Sequence, residues 1–585
     1  MLRNEITVRI AGEGGEGVIS TAEILTRAAV DSGLDVFTFR SYPAEIKGGL
    51  AMMQVRIGTS ALSSIGRDAD VLMAFNQEAF DVWAPRLGPN GVLLYDPKHC
   101  SVPDNFPHAR FEIPLHDTAM KETGARLAKN IVALASLIGT LGIPPQHARD
   151  LIVKQFKRKG DEVVEINLKA FDAGLSLLNG DARLAPLKLA RPALGKKPAG
   201  RVVLSGNQAL SLGAIAAGCR FVAGYPITPA TQVLEFMMKH LPAFGGNVIQ
   251  AEDEIAAIAA CLGASYAGAR SMTATSGPGL CLMSELIGMS SMSEIPVVVV
   301  DVMRSGPGTG MPTKTEQADL MYAIHGSAGE SPRIVLAATS IEDCFYQAVR
   351  AFNLADRFQM PVILLSDQSM GYRTMTMSTP DLAHVRHDER AHPETSRDGY
   401  LRFEDTESGV SPMLTPGMPG ATFITTGLEH DESGQANYTP ENRARMVAKR
   451  FRKLETLARE LVAEGDGILD SGDGAEIGVI GWGSTEGPIL EAIARLRAEG
   501  VKVAQYHPKV LNPVAVPAVE RFVAPLKKVV VLEENHTGQF AQHLRAHVDF
   551  GGREIVNVNQ CSGLPFTPDE VYSALAPLVL GAARV

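Results

Sequence analysis

The chain has 585 residues, enough at roughly 150 per compact unit for about three to five units with real cores. Its 65 acidic residues outnumber its 55 basic ones, a net charge of −10. That excludes a nucleic-acid or anionic-membrane surface as its main business, because phosphate binding draws on clustered positive charge.

MLRNE leads directly into the strand-like ITVRIAG and leaves no room for a signal peptide. The six cysteines, Cys100, Cys219, Cys261, Cys281, Cys344 and Cys561, have no CxxC or cluster spacing, so this chain alone is expected to hold neither an iron–sulfur cluster nor a structural zinc. Few cysteines, no export signal and no spanning helix together predict a cytoplasmic protein. From Ile6 to about Gly180, β-branched runs alternate with helical periods, the pattern of an α/β unit on a largely parallel sheet. The longest uncharged apolar stretch, Ile131 to Ile143, falls short of the ~20 residues a bilayer needs and is followed by Pro144, so it reads as a buried helix.

These patterns predict a first α/β domain over 1–184. Residues 185–200 are rich in Pro, Lys and Ala without apolar periodicity and read as an exposed linker. A second α/β domain is expected over 201–370. Over 371–470 the chain turns polar and irregular, with an amphipathic basic helix, and reads as an excursion packed on the outside. A third α/β domain is expected over 471–585, where AEIGVIGWGS, EGVKVAQYHP and KKVVVLEE are regularly spaced strands.

Several motifs carry chemistry. GEGGEG, Gly12 to Gly17, follows a predicted strand and opens a predicted helix, so its N–H groups could cradle a diphosphate. A nicotinamide dinucleotide site would need an acid ending the second strand, but DVFTFR ends in Phe39, Arg40 and Ser41, which leaves another phosphate-bearing ligand or a plain tight turn. YPITPAT, Tyr225 to Thr231, stiffens a turn with two prolines and displays Thr228 at a sheet edge, either for a ligand or to cap the next helix. Glu254 opens a helix whose small residues Ala257, Ala260, Gly263 and Ala264 let another backbone approach; its plain role is to stabilise the helix N-terminus. TSGPG, Thr275 to Gly279, and the loop from Arg304 to Thr315 both follow strands. Arg304 offers a planar fork for a carboxylate, against the plainer role of a surface ion pair. Gly472-Asp-Gly474 imitates the start of a thiamin-diphosphate metal motif, but the next asparagine, Asn512, comes too late, so it reads as a turn and no metal ligands are expected on this chain.

With these residues assembled, the chain resembles the 2-oxoacid:ferredoxin oxidoreductases, specifically the 2-oxoglutarate type of α subunit with a γ domain fused at its N-terminus. The resemblance covers nearly the whole length. It is carried by GEGGEG with SYPAEIKGG (Ser41 to Gly49), YPITPAT, EDEIAAIAACLGASYAGA, TSGPG, RSGPGTGMPTKT, GLEHDESG (Gly427 to Gly434), LEENHTGQF (Leu532 to Phe540) and PFTPDE. YPITP followed at the right interval by TSGPG and RSGPGTG is its specific part.

The resemblance implies three α/β domains: a γ-type domain, a thiamin-diphosphate pyrimidine-binding domain and a transketolase C-terminal-like domain. It implies an enzyme split over two chains, in which a β partner supplies Mg²⁺, the diphosphate site and a [4Fe–4S] cluster, in an (αβ)₂ assembly. Coenzyme A would be the acyl acceptor and ferredoxin the electron acceptor in the oxidative decarboxylation of 2-oxoglutarate to succinyl-CoA. By the same similarity Tyr225, Pro226, Ile227, Thr228 and Glu254 would line the thiamin pyrimidine, with Glu254 bonded to the aminopyrimidine ring. Thr228 and Arg304 would contact the substrate, Thr313 would line its pocket, and Gly14, Gly15 and Gly17 would approach coenzyme A. The distal carboxylate of 2-oxoglutarate needs a further cation, from Lys47, Arg304, Lys314 or the β subunit. A related pyruvate or branched-chain enzyme, or a non-catalytic regulatory subunit, is the alternative.

Overall fold

The computed structural model describes residues 3–43, 48–178, 180–190, 200–393, 399–420 and 422–580. Lys47 in the SYPAEIKGG loop and most of the expected linker, 191–199, lie outside the described residues. The chain divides into two compact units. One comprises Met1–Leu204, Arg373–Thr379 and Thr567–Asp569; the other comprises Ser205–Tyr372, Pro380–Phe566 and Glu570–Val585.

The first unit is built on an eight-stranded sheet in the order Ala109–Glu112, Leu87–Tyr95, Ala69–Ala74, Glu5–Glu13, Leu50–Gly58, Asp35–Ser41, Thr374–Ser378, Arg201–Ser205. The first four strands are parallel. Contrary to the largely parallel sheet expected, Leu50–Gly58 runs antiparallel to both Glu5–Glu13 and Asp35–Ser41, and Thr374–Ser378 is antiparallel to Asp35–Ser41. The connection from Ser41 to Leu50 is shorter than the roughly dozen residues a parallel crossover requires, so the chain can only double back. Periodicity could not reveal this, because Leu50–Gly58 is buried along nearly its whole length and lacks the alternation that marks a half-exposed antiparallel strand. The apolar stretch is a helix, Lys129–Leu141, with Ile131, Val132, Leu134, Leu137, Ile138 and Leu141 at the heart of this unit's core.

The second unit holds two sheets. The larger has the order Val510–Asn512, Ile334–Ala337, Pro361–Asp367, Val297–Met303, Ser271–Thr275, Phe221–Gly224, Asn247–Gln250. It is parallel apart from the edge strand Val510–Asn512. The smaller has the order Ile468–Asp470, Val503–His507, Ile477–Ile480, Lys528–Glu533, Glu554–Asn559. One apolar core runs from Ala257 and Val299 to Trp482, Val531 and Phe540, which welds these two α/β layers together.

The helix Pro440–Glu464 is capped by the Thr439 side chain, which accepts from Asn442 N–H, and has Pro440 in its first turn, where the missing N–H costs nothing. GLEHDESG seats it: Glu429 takes two bonds from Arg450, at 3.0 and 2.8 Å, and Asn442 Nδ2 donates to the His430 carbonyl at 3.0 Å. Arg443 and Arg445 of this helix face outward, as an amphipathic surface helix would have them, but the rest of its basic face does not. Lys449 and Lys453 are fully buried around Glu294.

Candidate active site

Four of the parallel strands of the larger sheet, Phe221–Gly224, Asn247–Gln250, Ser271–Thr275 and Val297–Met303, deliver their following loops to one carboxyl edge, where open α/β sheets bind ligands. YPITPAT follows Gly224, Glu254 follows Gln250, SGPG follows Thr275, and the Arg304 loop follows Met303.

Glu254 is the first residue of the helix Glu254–Tyr266, and Asp253 is its cap, accepting from Ala256 N–H at 2.7 Å. Glu254 is therefore not needed as a cap. Its side chain is buried, 6% exposed, and takes no hydrogen bond or ion pair from the described residues. It packs on Gly279 of TSGPG, where a Cβ would come 2.7 Å from Glu254 Oε1 and 2.0 Å from Thr275 Oγ1. Only glycine fits there. Gly279→Ala is expected to displace the Glu254 carboxylate and lower turnover at least about tenfold, with a stability loss of about 1–3 kcal/mol from overpacking. Paired turnover and thermal-melting measurements check this, and unchanged turnover would separate Glu254 from the chemistry.

The small-residue face of this helix divides. Ala257 enters the core, Ala260 is half-buried and Gly263 is exposed, with no described atom within 4 Å of a Cβ placed on it.

Arg304 is 8% exposed, so it is no surface ion pair. Its Nη1 donates to the Thr228 carbonyl at 2.7 Å, and its buried Nε has no partner. Burial lowers its pKa, opposed by Asp319 and Asp301. Thr228 is half-buried and does not cap the following helix, whose N-cap is Ala230. Pro226 and Ile227 are half-buried beside it and Tyr225 is exposed. The Arg304 loop closes on itself: Ser305 N–H donates to the Lys314 carbonyl at 3.0 Å and Met311 N–H to the Ser305 carbonyl at 2.9 Å. Thr313 and Lys314, both half-buried, thereby return to the stem that carries Arg304. Burial lowers the pKa of Lys314.

Sequence reasoning missed two acids here. Asp301 lies in the strand Val297–Met303, opposite Thr275, and is fully buried; Asp319 lies against Gly277, whose Cβ would stand 3.0 Å from Asp319 Oδ2. A carboxylate inside the run VVVVDVM was the available signal, since a buried charge without a purpose is costly.

LEENHTGQF also gains a role. Gln317 N–H donates to the Glu534 carbonyl at 2.7 Å, Gln317 Oε1 accepts from Glu534 N–H at 2.9 Å, and Gln317 Nε2 donates to the Trp482 carbonyl at 2.9 Å. Gln539 Nε2 donates to the Ala318 carbonyl at 2.6 Å and its Oε1 accepts from Met321 N–H at 3.0 Å. Glu533 in turn accepts from Trp482 Nε1, Asn535 Nδ2 and the N–H groups of Phe540 and Ala541, fixing the motif at a helix N-terminus.

In the first unit, GEGGEG does join a strand to a helix, Val18–Asp31. Gly17, at φ 87°, is its N-cap and meets Asn130, leaving no space for a side chain. Gly15, at φ 97°, has nothing within 4 Å of a Cβ position, and Gly14 N–H donates to the Gly49 carbonyl at 2.9 Å. Lys129 Nζ bonds Glu16 Oε1 at 2.5 Å beside this turn. Gly472-Asp-Gly474 forms a turn between two strands.

A sheet edge gathering a buried lone acid and a half-engaged guanidinium is that of a cofactor-dependent α/β enzyme. Residues 212–449 match the family model "Pyruvate flavodoxin/ferredoxin oxidoreductase, thiamine diP-bdg", residues 7–177 "Pyruvate ferredoxin/flavodoxin oxidoreductase", and residues 475–571 "Pyruvate:ferredoxin oxidoreductase core domain II". The chain belongs to the 2-oxoacid:ferredoxin oxidoreductase family, as an α subunit. It is 32% identical to 2-oxoacid:ferredoxin oxidoreductase 2, subunit alpha, of Aeropyrum pernix, over 99% of both chains. It is 35% identical to the 2-oxoglutarate oxidoreductase subunit KorA of Mycobacterium tuberculosis, over 97% of this chain and 90% of that one. A solved structure of 2-oxoglutarate:ferredoxin oxidoreductase from Magnetococcus marinus, with 2-oxoglutarate, coenzyme A and succinyl-CoA bound, superposes with a TM-score of 0.92 at 42% identity, over 98% of this chain and 99% of that one. The α/β fold class and the family read from the motifs are both borne out. Among the described residues no helix is long and apolar enough to cross a membrane.

Proposed function

We propose that this chain is the α subunit of a 2-oxoglutarate:ferredoxin oxidoreductase, converting 2-oxoglutarate and coenzyme A to succinyl-CoA and CO₂ while two electrons pass singly to ferredoxin, in either direction. The observation that carries the reading is the meeting, at one carboxyl edge, of the buried, unbonded carboxylate of Glu254 with the buried guanidinium of Arg304. The fit to the pyrimidine half of thiamin diphosphate rests on Glu254, which has an acceptor to offer, and on Gly279, which keeps the space around it clear. Tyr225, Pro226, Ile227 and Thr228 would wall the same half. When bound, thiamin diphosphate supplies the carbon nucleophile and the electron sink for loss of CO₂.

Glu254 would hold a proton in common with the ring nitrogen it faces, in a setting that excludes much of the water. Arg304 anchors Thr228 through one nitrogen and keeps others for the carboxylate of the 2-oxoacid, the geometry a planar fork serves. Thr228 and Thr313 would line the same pocket. Lys314, returned to the stem of the Arg304 loop, is the cation we assign to the distal carboxylate. Gly14, Gly15 and Gly17 would let the coenzyme A diphosphate approach the backbone, with Lys129 beside the turn.

The partner would be a β subunit carrying the diphosphate and Mg²⁺ site and a [4Fe–4S] cluster, in an (αβ)₂ assembly working in the cytoplasm. In support, Tyr225, Ile249, Ile255 and Leu282 stand exposed on the elements that carry the site, as apolar side chains awaiting a subunit do. The domains would divide at 1–184, 201–370 and 471–585, with the linker 185–200 and the excursion 371–470 between them.

Anaerobic purification from the native cell tests this. A brown two-chain complex whose visible absorbance bleaches with 2-oxoglutarate, and not with pyruvate, is the expected result. Bleaching by pyruvate alone would overturn the substrate, and a colourless chain unresponsive after addition of β subunit, thiamin diphosphate and Mg²⁺ would overturn the enzyme.

A further inference from the structure

Beneath Arg304, four buried polar atoms have no hydrogen-bond partner: Arg304 Nε, both carboxylate oxygens of Asp301, and Asp319 Oδ2. Asp301 stands across the ladder from Thr275 and Asp319 lies against Gly277, two residues further on, which brings the two carboxyl groups to the same end of the strand Ser271–Thr275. Asp319 occupies the N-cap position of the helix Leu320–His325, where its side chain would ordinarily bond a backbone N–H, and it makes no such bond. It turns instead towards Asp301 and Gly277. Two facing carboxylates, both desolvated, cannot both ionise without a large penalty; one proton held between them satisfies two orphaned oxygens at once. The segment cannot swing away to relieve the pair, because Gln317 and Gln539 fasten the residues on either side of Asp319.

We propose that Asp301 and Asp319 form a proton-sharing acid pair that positions Arg304 and fixes the charge beneath it at one negative unit, so that the guanidinium meets the 2-oxoacid carboxylate with its own charge balanced and not overwhelmed. The inference rests on the assignment of Arg304 to the substrate carboxylate and deepens it. The groups facing the pair are Arg304, Glu316 and the Cys281 thiol. Burial, followed by Glu316, raises the Asp319 pKa to about 6, and burial, followed by Asp319, raises that of Asp301 well above the ordinary carboxylate range. At neutral pH the pair thus holds one proton between them. Below about pH 6 the pair takes a second proton and Arg304 keeps an uncompensated positive charge, which favours an anionic substrate.

Two measurements test the pair, the first of them independently of the enzyme assignment. Infrared spectroscopy of the full chain at neutral pH should contain the carbonyl stretch of a neutral carboxylic acid, shifted in D₂O and lost in Asp301→Asn; its absence from the wild type would overturn the pair whatever the enzyme acts on. In the reconstituted complex, KM for the 2-oxoacid should rise on the order of tenfold as pH is raised through about 6, while Asp319→Asn, an isostere that cannot ionise, should flatten that rise. A merely structural Asp319 predicts the same inflection in both proteins, and that outcome would overturn the positioning role. Circular dichroism and melting of both variants identify any that fail to fold, and Asp319→Glu, which keeps an ionisable group, should restore the inflection. If no 2-oxoacid is turned over, the infrared band alone upholds the pair and the enzyme assignment is what falls.

Discussion

Glu254→Gln lowers turnover by about 10²–10⁴-fold while the chain stays folded and assembled. The two halves of that expectation come from different features of one residue. An amide keeps the size and shape of the carboxylate, so the contact with Gly279 is preserved. Because no described residue donates to Glu254, the substitution strands no partner, and because Asp253 is the cap, the helix keeps its terminus. What is lost for folding is the favourable interaction of an acid with a helix N-terminus, about 0.3–1 kcal/mol. What is lost for chemistry is the ability to accept and return a proton at a buried position. Melting temperature, gel filtration with the partner subunit and steady-state turnover separate these effects. Wild-type turnover in the variant would remove Glu254 from its role, and failure to assemble would make it a structural acid. Asp253→Ala is the contrasting variant: it removes the Asp253 bond to Ala256 N–H, so its cost of about 1 kcal/mol belongs to the helix.

The residues legible in the sequence share a local signature. YPITPAT, TSGPG and RSGPGTG each follow an apolar run directly, so the strand, its carboxyl end and the loop that carries the polar group are all contained in a dozen neighbouring residues. Arg304 could be placed at the sheet edge for that reason. Asp319 could not, because its significance depends on Asp301, on Gly277 and on Gln539, brought together from four elements. The same limit explains Leu50–Gly58, whose direction is set by the short connection before it and not by its own composition. LEENHTGQF was recognisable as a motif, yet its task, holding the segment around Asp319, exists only once the smaller sheet is packed on the larger. The basic helix misled most directly. Lys449 and Lys453 fall on one face at helical spacing, and a face of lysines ordinarily seeks water. Here the compensating carboxylate, Glu294, is 155 residues away in sequence from Lys449, beyond the reach of any pattern.

That cluster gives the largest stability effect expected in the chain: Glu294→Gln costs about 3–5 kcal/mol. Lys449 Nζ lies 2.6 and 2.9 Å from the Glu294 oxygens and Lys453 Nζ 2.6 Å away, and Arg402 donates to the Glu294 carbonyl at 2.6 Å, all of them buried. Three cations around one carboxylate would be untenable alone. The remainder of the compensation comes from two helix ends, because Glu294 and Gln359 are the C-caps of Ser284–Ser293 and Ile341–Phe358, where helix dipoles present negative charge. Both residues are left-handed, at φ 52° and 48°, a conformation costing roughly 1–2 kcal/mol each. Their carbonyls are the ones the cluster captures, Glu294 by Arg402 and Gln359 by Lys453 at 3.2 Å. The long helix and Arg402 thus together pin two turns that lead straight into the strands Val297–Met303 and Pro361–Asp367 of the site.

Its pH dependence follows. Burial, outweighing the attraction of Glu294, lowers the Lys453 pKa from 10.5 to about 7. Between those values the unfolded chain holds a proton that the folded chain has released, so stability climbs as pH rises through that window. Glu294 is held below the usual carboxylate range by the lysines and Arg402 despite its burial, so its contribution is present above the ordinary carboxylate pKa and is lost on acidification. Lys453→Met, which replaces a crowded ammonium by an apolar chain of similar length, should be neutral or stabilising near pH 7 and should erase the alkaline climb. Adding it to Glu294→Gln should recover part of the loss, a coupling that chemical denaturation of the two single variants and the double variant measures directly. Additive losses would mean that the carboxylate does not hold the lysines, and the pinned turns would then need another cause.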